Sequence, residues 1–334
     1  MKSLTRLSTA RRLACALFAA LFAALFATLG ASAAFAQTFP SRPIRLVTPL
    51  PIGSATDAIA RIISKAASES LGQQIIVDNK AGADGAIAAM EVARAAPDGY
   101  TLLLGTNSPL SVVPAMKKVP PYDVLRDFTP ITDVGRYTLF LVVNSELPVR
   151  NLNELIAHAK KNPGALSYAS GNTAGFVAMA QIKSLAGLDM VHVPYKGEPA
   201  AITDLLANRV QLMFSNLTTA MPHIQSGKFR AITLTLPQRS SLFPDVPTVA
   251  EQGLQGFSIT SWNALFGPAK MAPEVVARLN SAFNHALARP DVIAALARQG
   301  IPVKGSTPEE LGRVVKVQLE AYTQVLRAAG IQPE

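Results

Sequence analysis

Nine residues, Pro49-Leu50-Pro51-Ile52-Gly53-Ser54-Ala55-Thr56-Asp57, join the apolar run IRLV to the segment AIARIISKAASESLG. Pro49 and Pro51 restrict φ and lower the loop's entropy, while Gly53 admits a positive φ and a close approach of backbone to a bound group. Ser54, Thr56 and Asp57 are N-cap or first-turn residue types. A helix opening here directs free N–H groups and a partial positive charge at whatever lies in front of it. Three uses fit such a stretch: plain turn chemistry, a phosphate cradle, or an anion clamp in a cleft. The cradle is disfavoured because the stretch has no Walker lysine and no glycine fingerprint. Asp57 opposes an anion nearby, so its expected place is a cap turned onto the backbone.

The same pattern recurs at Ser170-Gly171-Asn172-Thr173, between the strand-like LSYAS and a helical segment. Thr106 ends YTLLLGT and Asn107 follows it, and they offer hydroxyl and amide contacts. In Pro194-Tyr195-Lys196-Gly197 an aromatic ring can wall a ligand and a cation can neutralise a distal carboxylate. The bland alternative for each of these turns is simple capping. Trp262 reads as a cleft wall or as core, and Asp84 as a cleft-rim group or a solvated turn residue.

Catalytic signatures are missing. There is no G-x-S-x-G elbow, and His158, His192, His223 and His285 show no metal-ligand spacing. GADG lacks a glycine of the dinucleotide fingerprint. The single cysteine, Cys15, lies in the N-terminal leader, so the mature chain has no disulfide, thiolate nucleophile or Cys-ligated metal. No cofactor, metal or enzymatic activity is expected; a secreted hydrolase is the minor alternative.

These turns need elements to hold them. Strands are expected at 44–50, 73–79 and 100–106, with helices at 57–70 and 85–96 between them. Continuous apolar strands alternating with helices indicate a parallel sheet covered on both faces. The pattern restarts with strand 137–144, the helix NLNELIAHAKKNPG, strand 166–170, helix 176–186, the strand MVHVPY, helix 198–207 and the strands VQLMFS and AITLTL. SITSWNALFGP and helices near 273–288, 290–299 and 307–329 complete the chain. Two α/β lobes with strand-like crossovers near 137 and 258 are the economical reading; one continuous doubly wound domain is its rival.

Lys2, Arg6, Arg11 and Arg12 precede an Ala/Leu/Phe run from Leu13 to Leu29, and Ala34-Phe35-Ala36 supplies a cleavage site. This is the form of a secretory signal peptide, residues 1–36, shorter in its apolar run than the ~20 residues of a membrane span. Its loss lowers the formal charge from +9, because four of the 31 basic residues go with it and none of the 22 acids. The remaining mild positive bias suits small anions, and no basic, aromatic-interleaved stripe suggests nucleic acid.

Taken together, FPSRPIRLVTPLPIGSATDAIAR, VDNKAGADG, APDGYTLLLGT, VPYKGEPAAITDLLANRVQLMF, PHIQSGKFRAI, FPDVPTVAEQG, Trp262 with ALFGPA, and RLN resemble the Bug-type (TctC-like) extracytoplasmic receptors, the solute-binding components of tripartite tricarboxylate transporters. They occur in the family's order over residues 39–334. The resemblance implies a periplasmic binding protein fold, type II-like, with lobe 1 at 37–137 plus 258–334 and lobe 2 at 138–257. It implies a monomer that closes on a small carboxylate and serves membrane transporter subunits, or alternatively a sensor signalling to a membrane histidine kinase. Carried onto this chain, the ligand contacts fall on Leu50, Ile52, Gly53, Ser54, Ala55, Thr56, Asp57, Thr106, Asn107, Ser170, Gly171, Asn172, Thr173, Tyr195, Lys196, Gly197 and Ser215. The chain departs from the family at Ile52 and Ser54, where a second Pro and Gly are usual. It departs again at Asp84 in place of a glycine, in the shorter SGNTAGFVAM turn, and at Ser215, where Asp is common.

Overall fold

Ile44, Leu46 and Val47 are wholly buried, and the strand that carries them, β1 (Ile44–Thr48), is the middle of the parallel part of the first sheet. The structure, a computed structural model, describes residues 39–240, 242–298 and 300–333; the expected signal peptide lies outside them. β1 is followed by α1 (Ala55–Leu71), β2 (Ile75–Asn79), α2 (Ala86–Ala93), β3 (Thr101–Thr106), α3 (Val113–Met116) and β4 (Phe128–Tyr137). The α1 pattern buries Ile59, Ala60, Ile63 and Ala67 against the sheet, each Ile contributing about 1.5–3 kcal/mol relative to exposure. Gly72, in the left-handed conformation, ends the helix.

The second lobe runs β5 (Leu139–Asn144), α4 (Leu152–Lys161), β6 (Ser167–Ser170), α5 (Thr173–Ala186), β7 (Val191–Pro194), α6 (Glu198–Leu206), β8 (Leu212–Asn216), α7 (Leu217–Gln225) and β9 (Phe229–Leu234). The chain then returns to the first sheet as β10 (Ser261–Pro268) and finishes with α8 (Pro273–Leu287), α9 (Pro290–Ala297) and α10 (Pro308–Ala328). The two sheets have the same plan, β2-β1-β3-β10-β4 and β7-β6-β8-β5-β9.

Neither sheet is all parallel, as the sequence suggested. β10 runs antiparallel to both β3 and β4, and β5 antiparallel to both β8 and β9. β5 and β10 are the strands that enter from the other lobe without a helical crossover, so they run against their neighbours. Both are buried along their whole length, which makes their apolar runs indistinguishable from those of parallel strands.

Three elements escaped the sequence pattern, the short α3 with its Pro114 among them. β4 contains Pro130, Asp133 and Gly135, and it is an edge strand with two register shifts against β10, where proline and bulges are tolerated. α7 carries Pro222 within it, which reads locally as a breaker. The expected strand 137–144 is divided at Thr138, so β4 of one sheet and β5 of the other are separated by one residue.

α10 is nucleated by a capping box between Thr307 and Glu310. Its Tyr322, Val325 and Leu326 join Val112 in the apolar cluster that holds Leu141, Val177 and Phe214 of the second lobe. The C-terminal helix therefore ties into the second lobe's core. Among the described residues, no helix is long and apolar enough to cross a membrane.

Candidate ligand cleft

On the first lobe, the loop after β1 turns through Gly53 at φ +83°, and Ser54 becomes the N-cap of α1, its Oγ accepting from the Asp57 N–H at 3.2 Å. Asp57 closes the loop. Its Oδ2 accepts from the Gly53 N–H at 3.0 Å and from Arg61 Nε at 3.1 Å, and its Oδ1 accepts from Asn79 Nδ2 at 3.1 Å. Burial works against its ionisation, but donation from Arg61, Gly53 and Asn79 outweighs this and holds the carboxyl below its ordinary value. The accounting leaves less for a ligand than the sequence suggested. The Gly53 and Asp57 amides are consumed inside the loop, so the first-turn N–H groups without an intrahelical acceptor are those of Ala55 and Thr56. Ile52 points outward, 76 % exposed.

The second lobe repeats the device. Asn172 caps α5, its Oδ1 accepting from the Gly175 N–H at 2.7 Å. Gly171 is required by contact: a Cβ there would meet the Glu198 Cα at 2.5 Å. Glu198, the first residue of α6 and 7 % exposed, gathers this side of the cleft. It accepts from Asn172 Nδ2, from Ser215 Oγ at 2.9 Å, and from the Asn216 backbone N–H at 3.2 Å and Nδ2 at 2.8 Å. Burial raises its pKa, opposed by the donors from Ser215, Thr219, Asn216 and Asn172.

Between the two turns lies a cavity of about 90 Å³, lined by Leu50, Ser54, Ala55, Thr56, Ile59, Ile301 and Asn263 from the first lobe. Asn172, Asn216, Leu217 and Thr218 line it from the second, and Tyr137 and Thr138 from the crossover. No lining side chain is charged, and burial pushes the Tyr137 hydroxyl up to about 12. Asn263 is wholly buried. Its Oδ1 lies 3.4 Å from the Thr56 hydroxyl, and its Nδ2 has no partner among the described residues. An unpaired buried N–H costs about 1–3 kcal/mol.

Of the residues singled out in sequence, Leu50, Ser54, Ala55, Thr56 and Asn172 line this cavity. Gly53 and Asp57 shape the loop behind it, and Ser215 lies wholly buried against Glu198. Thr106 and Asn107 are buried outside the lining, Thr106 beside Asn263 in the β3–β10 register. Ser170 bonds His192 Nε2 at 2.7 Å, and the imidazole lies between the rings of Tyr168 and Phe176. No carboxylate partners that histidine among the described residues, so the pair lacks the orienting third group of a triad. Tyr195 is turned away, donating to Asp204 at 2.7 Å; Lys196 is exposed and Gly197 shapes the turn at φ +121°. Trp262 packs beside Phe266 in the first lobe's core, 1 % exposed. Outside the lining, Asp84 meets Thr173 across the lobes, Thr173 Oγ1 donating to Asp84 Oδ1 at 3.0 Å. No group of residues able to hold a metal occurs among the described residues.

Asn263, Asn216 and Glu198 were missed in the sequence. Asn263 had a signal, a lone amide inside the apolar strand SWNALFGP; Asn216 had one too, a further strand-to-helix turn. Nothing local announces that Glu198 is buried.

A sequence model described as the tripartite tricarboxylate transporter family receptor matches residues 59–331. The UPF0065 protein in the tcbD-tcbE intergenic region of Pseudomonas sp. (strain P51) is 40% identical over 291 residues, 86% of each chain. Protein BugT of Bordetella pertussis is 36% identical, covering 90% of this chain and 93% of BugT. Among solved structures, an R. palustris protein with adipate superposes with a TM-score of 0.81 at 31% identity, over 89% of this chain and 100% of that one. MatC from Rhodopseudomonas palustris with bound malate gives 0.77 at 30% identity, over 86% and 100%.

Proposed function

Because the chain belongs to the tripartite tricarboxylate transporter receptor family, a family of solute-binding receptors, we propose that it is exported to the periplasm by its N-terminal signal peptide and captures a small carboxylate for uptake through membrane transporter subunits. The observation that carries this reading is the convergence on one uncharged cavity of two helix N-termini, α1 and α5. Helix ends and amides favour an anion there without any arginine. Each hydrogen bond to a carboxylate contributes about 1.5–3 kcal/mol, so a few reach the roughly −8 kcal/mol of a micromolar complex. The solved relatives with adipate and malate support carboxylate as the ligand class. A ligand that contacts both lobes biases an open–closed equilibrium toward the closed form.

Thermal unfolding of the mature protein in the presence of mono-, di- and tricarboxylates tests this. A micromolar ligand at millimolar concentration adds about 4 kcal/mol of stability. If no carboxylate raises the melting point while a neutral or cationic solute does, the anion reading is wrong.

A further inference from the structure

The Glu198 carboxylate lies one side chain away from the cavity. Asn172 and Asn216 both line the cavity, and both donate Nδ2 to Glu198 Oε1. Its other donors are neutral too: the Ser215 hydroxyl reaches Oε2 at 2.9 Å, the Asn216 backbone N–H lies at 3.2 Å, and Thr219 of α7 also donates. From β4 the Tyr137 hydroxyl feels its charge, and Lys196, two positions before it in the chain, is exposed. An anion in the cavity is thus separated from Glu198 by one amide, and no cation lines the space between them. The hydrogen bonds accommodate either protonation state. When ionised, the carboxylate only accepts. When protonated, its Oε2 hydroxyl donates to Ser215 Oγ over the same 2.9 Å, and the Ser215 hydroxyl turns to the Asn216 carbonyl oxygen, 3.3 Å away. Oε1 keeps both amides, so no buried group loses its partner.

We propose that Glu198 couples ligand capture to proton uptake: it holds the two cavity amides in place, and it takes a proton from solvent when a carboxylate anion enters beside them. This rests on the carboxylate reading of the site. Burial already raises the folded pKa of Glu198 against its donors, and a ligand anion adds a like charge that raises it further. Between the ligand-free and the ligand-bound value, the complex holds a proton that the free protein does not. Affinity therefore falls as pH rises through that interval, by up to about tenfold per pH unit, and is flat outside it.

Titration calorimetry on the mature protein with acetate, lactate, malate, succinate and adipate tests this above about pH 6.5, where the ligand carboxylates are ionised. Run in PIPES and in Tris at one pH, the binding heat should differ between the buffers by the uptake of up to about one proton per ligand, and Kd should rise with pH. Glu198→Gln does permanently what the protonated acid does, its Oε1 accepting from both amides and its Nε2 donating to Ser215. It should bind at least as tightly as the parent at about pH 8.5, with no proton uptake and no pH slope. Weaker binding that keeps the parent's slope would make Glu198 a packing residue and overturn the proposal. His192→Phe keeps the ring between Tyr168 and Phe176 and should retain the uptake, which tests the proposal even if the first variant does not fold. Loss of uptake in His192→Phe, or binding by the parent without any uptake, overturns the proposal while the carboxylate reading stands. If none of the five binds and no other carboxylate does, both fall.

Discussion

Thr173, the first residue of α5, donates its hydroxyl to the carboxylate of Asp84 at 3.0 Å, and the two residues belong to different lobes. Ser108 reinforces the bridge, its Oγ lying 3.1 Å from Thr173 Oγ1 and 3.0 Å from the Asp84 carbonyl oxygen. Asp84 reaches this position through a left-handed backbone at φ +53°, a conformation Asp tolerates better than most residues. The bridge joins the two lobes, so it holds their arrangement and not either lobe alone.

Asp84→Ala should shift the ligand-free protein toward the open form and weaken ligand binding, with the lobes themselves intact. An exposed hydrogen bond to a carboxylate is worth about 1 kcal/mol after solvent screening, or roughly a fivefold rise in Kd. Small-angle scattering of the ligand-free protein and calorimetry of its complex check this. Thr173→Val should have the same effect, and the double variant no more than either single one, because both break one contact. An additive double variant would mean that the two residues act separately.

Asn263 lines the cavity and carries an unpartnered buried amide nitrogen. Asn263→Leu removes the unpartnered Nδ2 from the wholly buried strand β10. The ligand-free protein should gain about 1 kcal/mol or more in urea unfolding, while carboxylate affinity falls about tenfold. A loss of both stability and affinity would instead make Asn263 a packing residue.

Asp57 links the cleft loop to pH. Its folded pKa lies below the ordinary carboxylate value because donation from Arg61, Gly53 and Asn79 outweighs its burial. The unfolded chain then takes up the proton first as pH falls. The stability that Asp57 contributes is fully present above the unfolded carboxylate pKa of about 4 and is lost as pH drops through the lower folded value. Asp57→Asn should therefore be less stable than the parent at pH 7, and the difference should shrink in urea titrations carried toward pH 3. A difference constant with pH would place the effect in the cap geometry and not in the charge.

Much of the fold was legible because its signals are local. The strand-to-helix turns at 49–57 and 170–173 and the α1 stripe of Ile59 and Ile63 each follow from neighbours in the chain. Strand direction was not local. Whether LFLVVN or SWNALFGP runs with or against its neighbours depends on which lobe the chain arrives from, and both strands are apolar on both faces in either case.

The sequence by itself determined that helices would open after the turns at 49–57 and 170–173 with capping residue types, because capping is a matter of three or four consecutive residues; the structure makes Ser54 and Asn172 the caps. Only the tertiary structure decided which polar groups remain free. The Gly53 amide and the Asp57 carboxylate satisfy each other within one turn of chain. Asn216 and Asn172 are oriented by Glu198, 18 and 26 positions away in the chain, and Asn263 lies opposite Thr56 across 207 positions. Hydrogen-bond partners separated that far are chosen by packing, because each buried polar atom takes whatever the assembled lobes bring within about 3 Å.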